Sequence, residues 1–144
     1  MLTIEQKKEI SRIQKKVHEL SKPTSCLLCG KKVSSFCNSH LVPQMVLKRI
    51  AQDGKLLQPS LIMGIEDFDI EKGVKNSGTF HFICNECDST LFQNYENPSN
   101  LLTLPSDRML AEIALKNMTM MLSKRNEEVI LYDYTQKRYN HLIH

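Results

Sequence analysis

The sequence predicts an α+β fold in which a small stapled core with short strands carries an α-helix on each flank. Three observations lead there. The apolar residues Ile4, Ile10, Ile13, Val17 and Leu20 recur at helical spacing near the N-terminus. A second helical pattern places Met109, Ile113, Leu115, Met118 and Leu122 on a broad apolar face. Between the two lie a pair of Cys-x-x-Cys motifs, Cys26 with Cys29 and Cys84 with Cys87, set among strand-like and turn-like segments. The chain accordingly divides into an N-terminal amphipathic helix over residues 1–22, a knuckle-bearing core over 23–98, and a C-terminal helical extension over 99–144 that packs on the core.

Taken in order, the first helix runs over residues 3–20, with Thr3 and Gln6 spaced as a capping box. Pro23 ends it, because proline disfavours helical geometry in the residue before it. After the first cysteine pair and Gly30, the stretch KKVSSFCNSH reads as an extended segment or short hairpin ending at His40. Pro43 suits the first turn of a helix that Asp53 and Gly54 break. Residues 56–78 read as loops with one short strand near 61–65. TFHFIC alternates like a strand and delivers Cys84, after which Asp88 is the expected N-cap of a helix through STLFQNYE, closed by Asn97 and Pro98. Ser106 is the expected cap of the long helix, and the tail VILYDYTQKRYNHLIH reads as a strand or hairpin.

Size and charge narrow the function classes. A chain of 144 residues that is 41% hydrophobic is long enough for one modest core and is not disordered. Its net charge of +3 is mild, yet Lys7, Lys8, Arg12, Lys15, Lys16, Lys22, Lys31 and Lys32 crowd into the first quarter. Such crowding permits phosphate contact without requiring it. No apolar run approaches membrane-spanning length, and MLTIEQKKEI lacks the apolar stretch of a secretory signal, so a cytoplasmic protein with no membrane partner is expected. Disulfides are rare in that compartment, and paired cysteines there point to metal.

A structural zinc ion takes four tetrahedral ligands, and the tight turn of a Cys-x-x-Cys knuckle aims two thiolates at one point. Cys26, Cys29, Cys84 and Cys87 make a complete set. A rival set closes locally, with Cys37 and His40 joining Cys26 and Cys29, but leaves Cys84 and Cys87 without a purpose. Cys37 also reads as a small buried side chain. With the knuckles joined, His40 and Asp88 are expected to become neighbours. His81, between Phe80 and Phe82, falls on the opposite sheet face from them and reads as polar surface, as do His141 and His144.

The order CLLCG, SHLVP, FICNECD resembles the zinc-stapled branch of the HNH endonucleases, over residues 26–96. The resemblance implies a treble-clef, ββα-metal core. It implies that His40 is the general base that activates water against a phosphodiester, and that Asp88 helps to hold a catalytic Mg2+ or Mn2+. Ser39 stands where the family has an acidic ligand, and Thr79 or a neighbour stands where it has its middle asparagine, with Asn76 one slip of register away. Glu96 is a candidate for the missing carboxylate. Two functions follow: a metal-dependent endonuclease acting on nucleic acid, DNA first, or a non-catalytic zinc module that binds nucleic acid or a protein partner. The helix at 106–125 either packs on the core or joins two subunits.

Overall fold

The computed structural model describes residues 3–58 and 70–139. Helix α1 spans Ile4–Leu20, and its start is set by the expected reciprocal cap: the Thr3 hydroxyl accepts from the Gln6 amide, and the Gln6 side chain accepts from the Thr3 amide. Strand β1 (Ser39–His40) is followed by α2 (Gln44–Ile50), with Pro43 at its N-cap. Ala51 leaves helical geometry, and Asp53 and Gly54, both at positive φ, turn the chain into β2 (Lys55–Gln58). Strand β3 (Ile70–Gly73) pairs antiparallel with β2, Lys55 opposite Gly73. This two-stranded ribbon replaces the loops expected over this region; the strand expected near 61–65 lies outside the described residues. A 3-10 turn at Val74–Asn76 leads to β4 (Thr79–Phe80).

Strand β4 pairs antiparallel with β1, Ser39 opposite Phe80 and His40 opposite Thr79. It is shorter than TFHFIC suggested, because from His81 onward the backbone serves the knuckles: Phe82 O accepts from Leu27 N at 2.9 Å and Ile83 O from Cys37 N at 2.8 Å. Helix α3 (Asn85–Leu91) is capped by Cys84, whose sulfur accepts from the Cys87 amide. The expected N-cap Asp88 therefore sits inside α3. A knuckle sulfur already satisfies the donor that a carboxylate cap would take.

Helix α4 runs unbroken over Asp107–Tyr139, with the Ser106 hydroxyl accepting from Met109 N at 3.2 Å. The tail expected as a strand or hairpin is thus helical through Tyr139, while His141 and His144 fall outside the described residues. Its C-terminal half packs antiparallel on α1, tied by Arg138 to Glu9 (2.8 Å) and by Asn126 to Ser21 O (3.0 Å). Among the described residues, no helix is long and apolar enough to cross a membrane.

The face that α4 turns inward is largely polar, with Met120 on its flank packed against the core cluster. Glu112, Lys116, Thr119 and Ser123 are buried, together with Met109, while Leu110, Met118, Met121 and Leu122 are exposed. Leu115, Met118 and Leu122, expected on an apolar face that either packs on the core or joins two subunits, therefore do not pack on the core. The reason lies in what the core offers α4: backbone amides and carboxylates. Glu112 accepts from Asn94 N and Tyr95 N, each at 2.9 Å, from Asn94 Nδ2 at 2.7 Å and from Arg108 Nε at 3.3 Å. Burial opposes its ionisation, but these donors outweigh burial and hold its carboxyl below the ordinary glutamate range.

A carboxyl with a lowered folded-state pKa contributes stability that is present above its unfolded value and lost as pH falls through the folded one. Glu112→Gln is expected to cost about 2 kcal/mol at pH 7 and to flatten the acid limb of stability below about pH 4.5. Urea melts of both proteins across that range check this.

Candidate metal centre

The two knuckles meet. Leu27 N to Phe82 O joins their flanking backbones, Gly30 at φ 71° closes the first turn, and the helix start at Cys84 shapes the second. The four sulfurs of Cys26, Cys29, Cys84 and Cys87 lie within 4.8 Å of one another. Cys26 Sγ is 3.8 Å from Cys87 Sγ, and Cys29 Sγ is 3.8 Å from Cys84 Sγ. Four thiolates at about 2.3 Å from a tetrahedral zinc sit about 3.8 Å apart, so the donor set and its spacing fit zinc. The cluster is positioned as a metal site.

Local electrostatics favour the thiolate at Cys26. Burial opposes it, but amide donation, including Cys84 N at 3.3 Å, outweighs burial and lowers its pKa. Cys87 is pushed the other way, by burial first and then by the neighbouring sulfurs. The core is built around these residues: Cys26, Cys84 and Cys87 share one buried cluster with Phe80, Ile83 and Phe92.

Neither Cys37 nor His40 belongs to the cysteine cluster, which is the one such group among the described residues. The two-knuckle set is the one assembled, not the local finger. Cys37 Sγ instead donates to Asp88 Oδ2 at 3.0 Å, and burial, helped by that carboxylate, pushes its thiol up to about 12. His40 Nε2 lies 3.1 Å from Val74 O. A carbonyl only accepts, so Nε2 carries the proton and Nδ1 is left as an acceptor.

Asp88, expected to hold a cation, and Ser39 touch directly: Ser39 Oγ donates to Asp88 Oδ1 at 2.5 Å. Register makes this contact, since Ser39 opposite Phe80 points into the core, where it is fully buried. The same carboxylate faces Lys116 Nζ from α4 at 3.4 Å, and Lys116 also donates to Glu96. Lys116 is 0% exposed, and its ammonium stands 4.5 Å over the Phe92 ring.

Glu96 was expected on the same helix face as Asp88. Helix α3 ends at Leu91, and Glu96 comes near by another route, its amide bonded to Phe92 O. Thus Asp88 and Glu96 do converge, on an ammonium supplied by the protein. Thr79 lies opposite His40, and Asn76 accepts from Asn38 Nδ2 at 3.5 Å in the turn that carries Val74.

His81 lies away from both clusters. Its ring meets His18 of α1 edge-on at 6.0 Å, and burial, then the neighbouring His18, lowers its pKa. Lys116 is the site residue that sequence reasoning missed. Its signal was present as Glu112, Lys116, Thr119 and Ser123, a polar stripe at spacings of four, three and four on a long helix. No family model, curated protein or solved structure matches the chain.

Proposed function

We propose that this chain is a zinc-stapled module of the HNH-like, treble-clef plan that binds nucleic acid without cutting it. The observation that carries the reading is the buried Lys116 ammonium between Asp88 and Glu96. It already neutralises the two carboxylates that a catalytic Mg2+ or Mn2+ would draw on. A hard cation requires several free oxygens and open sites for water and substrate phosphate. Here Asp88 is shared among Ser39, Cys37 and Lys116, and expelling a buried ammonium to admit a metal leaves a charge without a partner.

Binding rests on basic side chains rather than on that pocket. Lys8, Arg12, Lys15 and Lys16 are exposed along α1, and Lys31 and Lys32 are exposed beside the first knuckle. Such a surface recognises the phosphate backbone, DNA being the first substrate to test, with an affinity that falls steeply with salt. Anisotropy titrations on labelled duplex and single-stranded DNA and on RNA, each at several salt concentrations, test this. Binding that weakens with salt, and weakens further in Lys8→Glu/Lys15→Glu, is expected; no binding to any of the three contradicts it.

The endonuclease reading keeps one observation in its favour, the orientation of His40. With Nε2–H held by Val74 O, Nδ1 has the lone pair a general base needs. Plasmid incubated with purified protein and Mg2+ or Mn2+ decides between the two. The binding-module reading expects no nicking; nicking that disappears in His40→Ala establishes the nuclease.

A further inference from the structure

We propose that the exposed apolar face of α4 is a self-association surface, on which a second copy of this chain packs its own α4 in antiparallel orientation. Leu110, Leu115, Met118, Met121, Leu122, Val129 and Tyr132 are all exposed, with Met118 at 63% and Tyr132 at 68%. At about 100° per residue they fall, with Ala111 and Ala114, in one arc of about 140° opposite the buried polar face. The stripe runs from Leu110 to Leu122 and resumes at Val129 and Tyr132, about 33 Å of helix in all, with the Arg125–Glu128 pair between the two parts and polar residues Asp107 and Gln136 at its ends.

Area argues for a macromolecular occupant. With about 200 Å2 for each fully exposed large side chain, the seven offer on the order of 700 Å2. Apolar patches on monomers run to about 300–600 Å2, and a stable complex buries about 800 Å2 per partner. Helix α1 does not cover this face, because it packs on the other side of α4, through Glu127, Arg138 and Asn126.

The stripe is complementary to itself when reversed. Around a two-fold axis between Met121 and Leu122, Ala111 lies opposite Tyr132 of the second copy, and Ala114 lies opposite Val129. Small meets large at these two levels, and each contact occurs twice about the axis, as in any isologous interface; Leu110 and Leu115, at the edges of the arc, stand level with Asp133 and Glu128 of the second copy. Met118 lies opposite Arg125, the one cation in the arc. Arg125 is already paired with Glu128 on its own helix, so its aliphatic stem can cover the methionine while its charge stays matched. A parallel pairing sets alanine against alanine and tyrosine against tyrosine, leaving gaps at one end and a clash at the other. The helix thus has two working faces: a polar one that latches the protein's own core, and an apolar one for its copy.

Sedimentation velocity of the zinc-loaded full chain over about a hundredfold range of concentration tests the proposal. A species of twice the 16.6 kDa chain mass is expected at the upper end. Met118→Glu/Met121→Glu, both at exposed positions, is expected to weaken association at least 100-fold with zinc content and helicity unchanged. Leu57→Glu, an exposed apolar position elsewhere, leaves it intact. A monomer at every concentration overturns the proposal, as does a dimer that the double substitution does not weaken.

Discussion

Stripping the metal from the protein with a strong chelator is expected to unfold the region between α1 and α4. The reason is how little else holds it. The buried cluster is Phe80, Ile83 and Phe92 with three of the four cysteines, and the pairing of β1 with β4 spans two residues on each strand. Structural zinc in small modules contributes about 10–16 kcal/mol, comparable to or larger than the whole stability of an ordinary domain, about 5–15 kcal/mol. Cys84→Ser should do the same as the chelator, since Cys84 is at once a member of the four-sulfur cluster, the N-cap of α3 and a core residue. Cys37→Ser should not, because its contact is a hydrogen bond to Asp88 that a hydroxyl can also donate. Thermal melts followed by circular dichroism, with and without chelator, check all three. A melting temperature unmoved by the chelator contradicts the expectation.

Lys116→Met is expected to be the most destabilising substitution outside the cysteines. Methionine fills nearly the same volume over Phe92, so little cavity is made and the loss is electrostatic. Removing the ammonium leaves Asp88 mostly buried, with Ser39 and Cys37 as its remaining donors. Breaking one side of a buried ion pair costs about 3–5 kcal/mol, which for a domain of this size is a fall of about 10–17 °C in melting temperature. The Glu96 arm adds less, because Glu96 is more than a third exposed and solvent screens it. In an Asp88→Asn background the same substitution should cost much less, because the carboxylate it strands is gone. Equal costs in both backgrounds would mean that Lys116 acts through packing alone.

What could be read in the sequence follows from how local each determinant is. The cap at Thr3 and Gln6 was legible because both partners lie within one turn of each other. The cysteine cluster was legible because a knuckle encodes its own geometry in four residues, and two knuckles leave one simple way to fill four ligand positions. The orientation of α4 was not. A helix with an apolar stripe and a polar stripe can bury either, and periodicity favours the apolar one. Here the polar face wins because Asn94, Tyr95, Asp88 and Glu96 present it with partners that come from distant chain positions. His40 was the expected neighbour of Asp88, but the contact is made by Ser39, one residue earlier in β1, while the His40 ring bonds Val74 O. As a cap or cation ligand Asp88 needed free oxygens, and the fold fills them from three directions.

The same reasoning separates Cys37 from the other cysteines. Spacing alone admits it to a local finger with His40, and backbone carbonyls from distant parts of the chain hold both elsewhere: Ile83 O takes the Cys37 amide, and Val74 O takes the His40 ring.

Metal analysis of the purified full chain tests the central claim most directly, by comparing the wild type with Cys37→Ser/His40→Ala and with Cys84→Ser/Cys87→Ser. One zinc per chain is predicted in the wild type, retained in the first variant and lost in the second. Zinc held by the second variant, or none in the wild type, would contradict it.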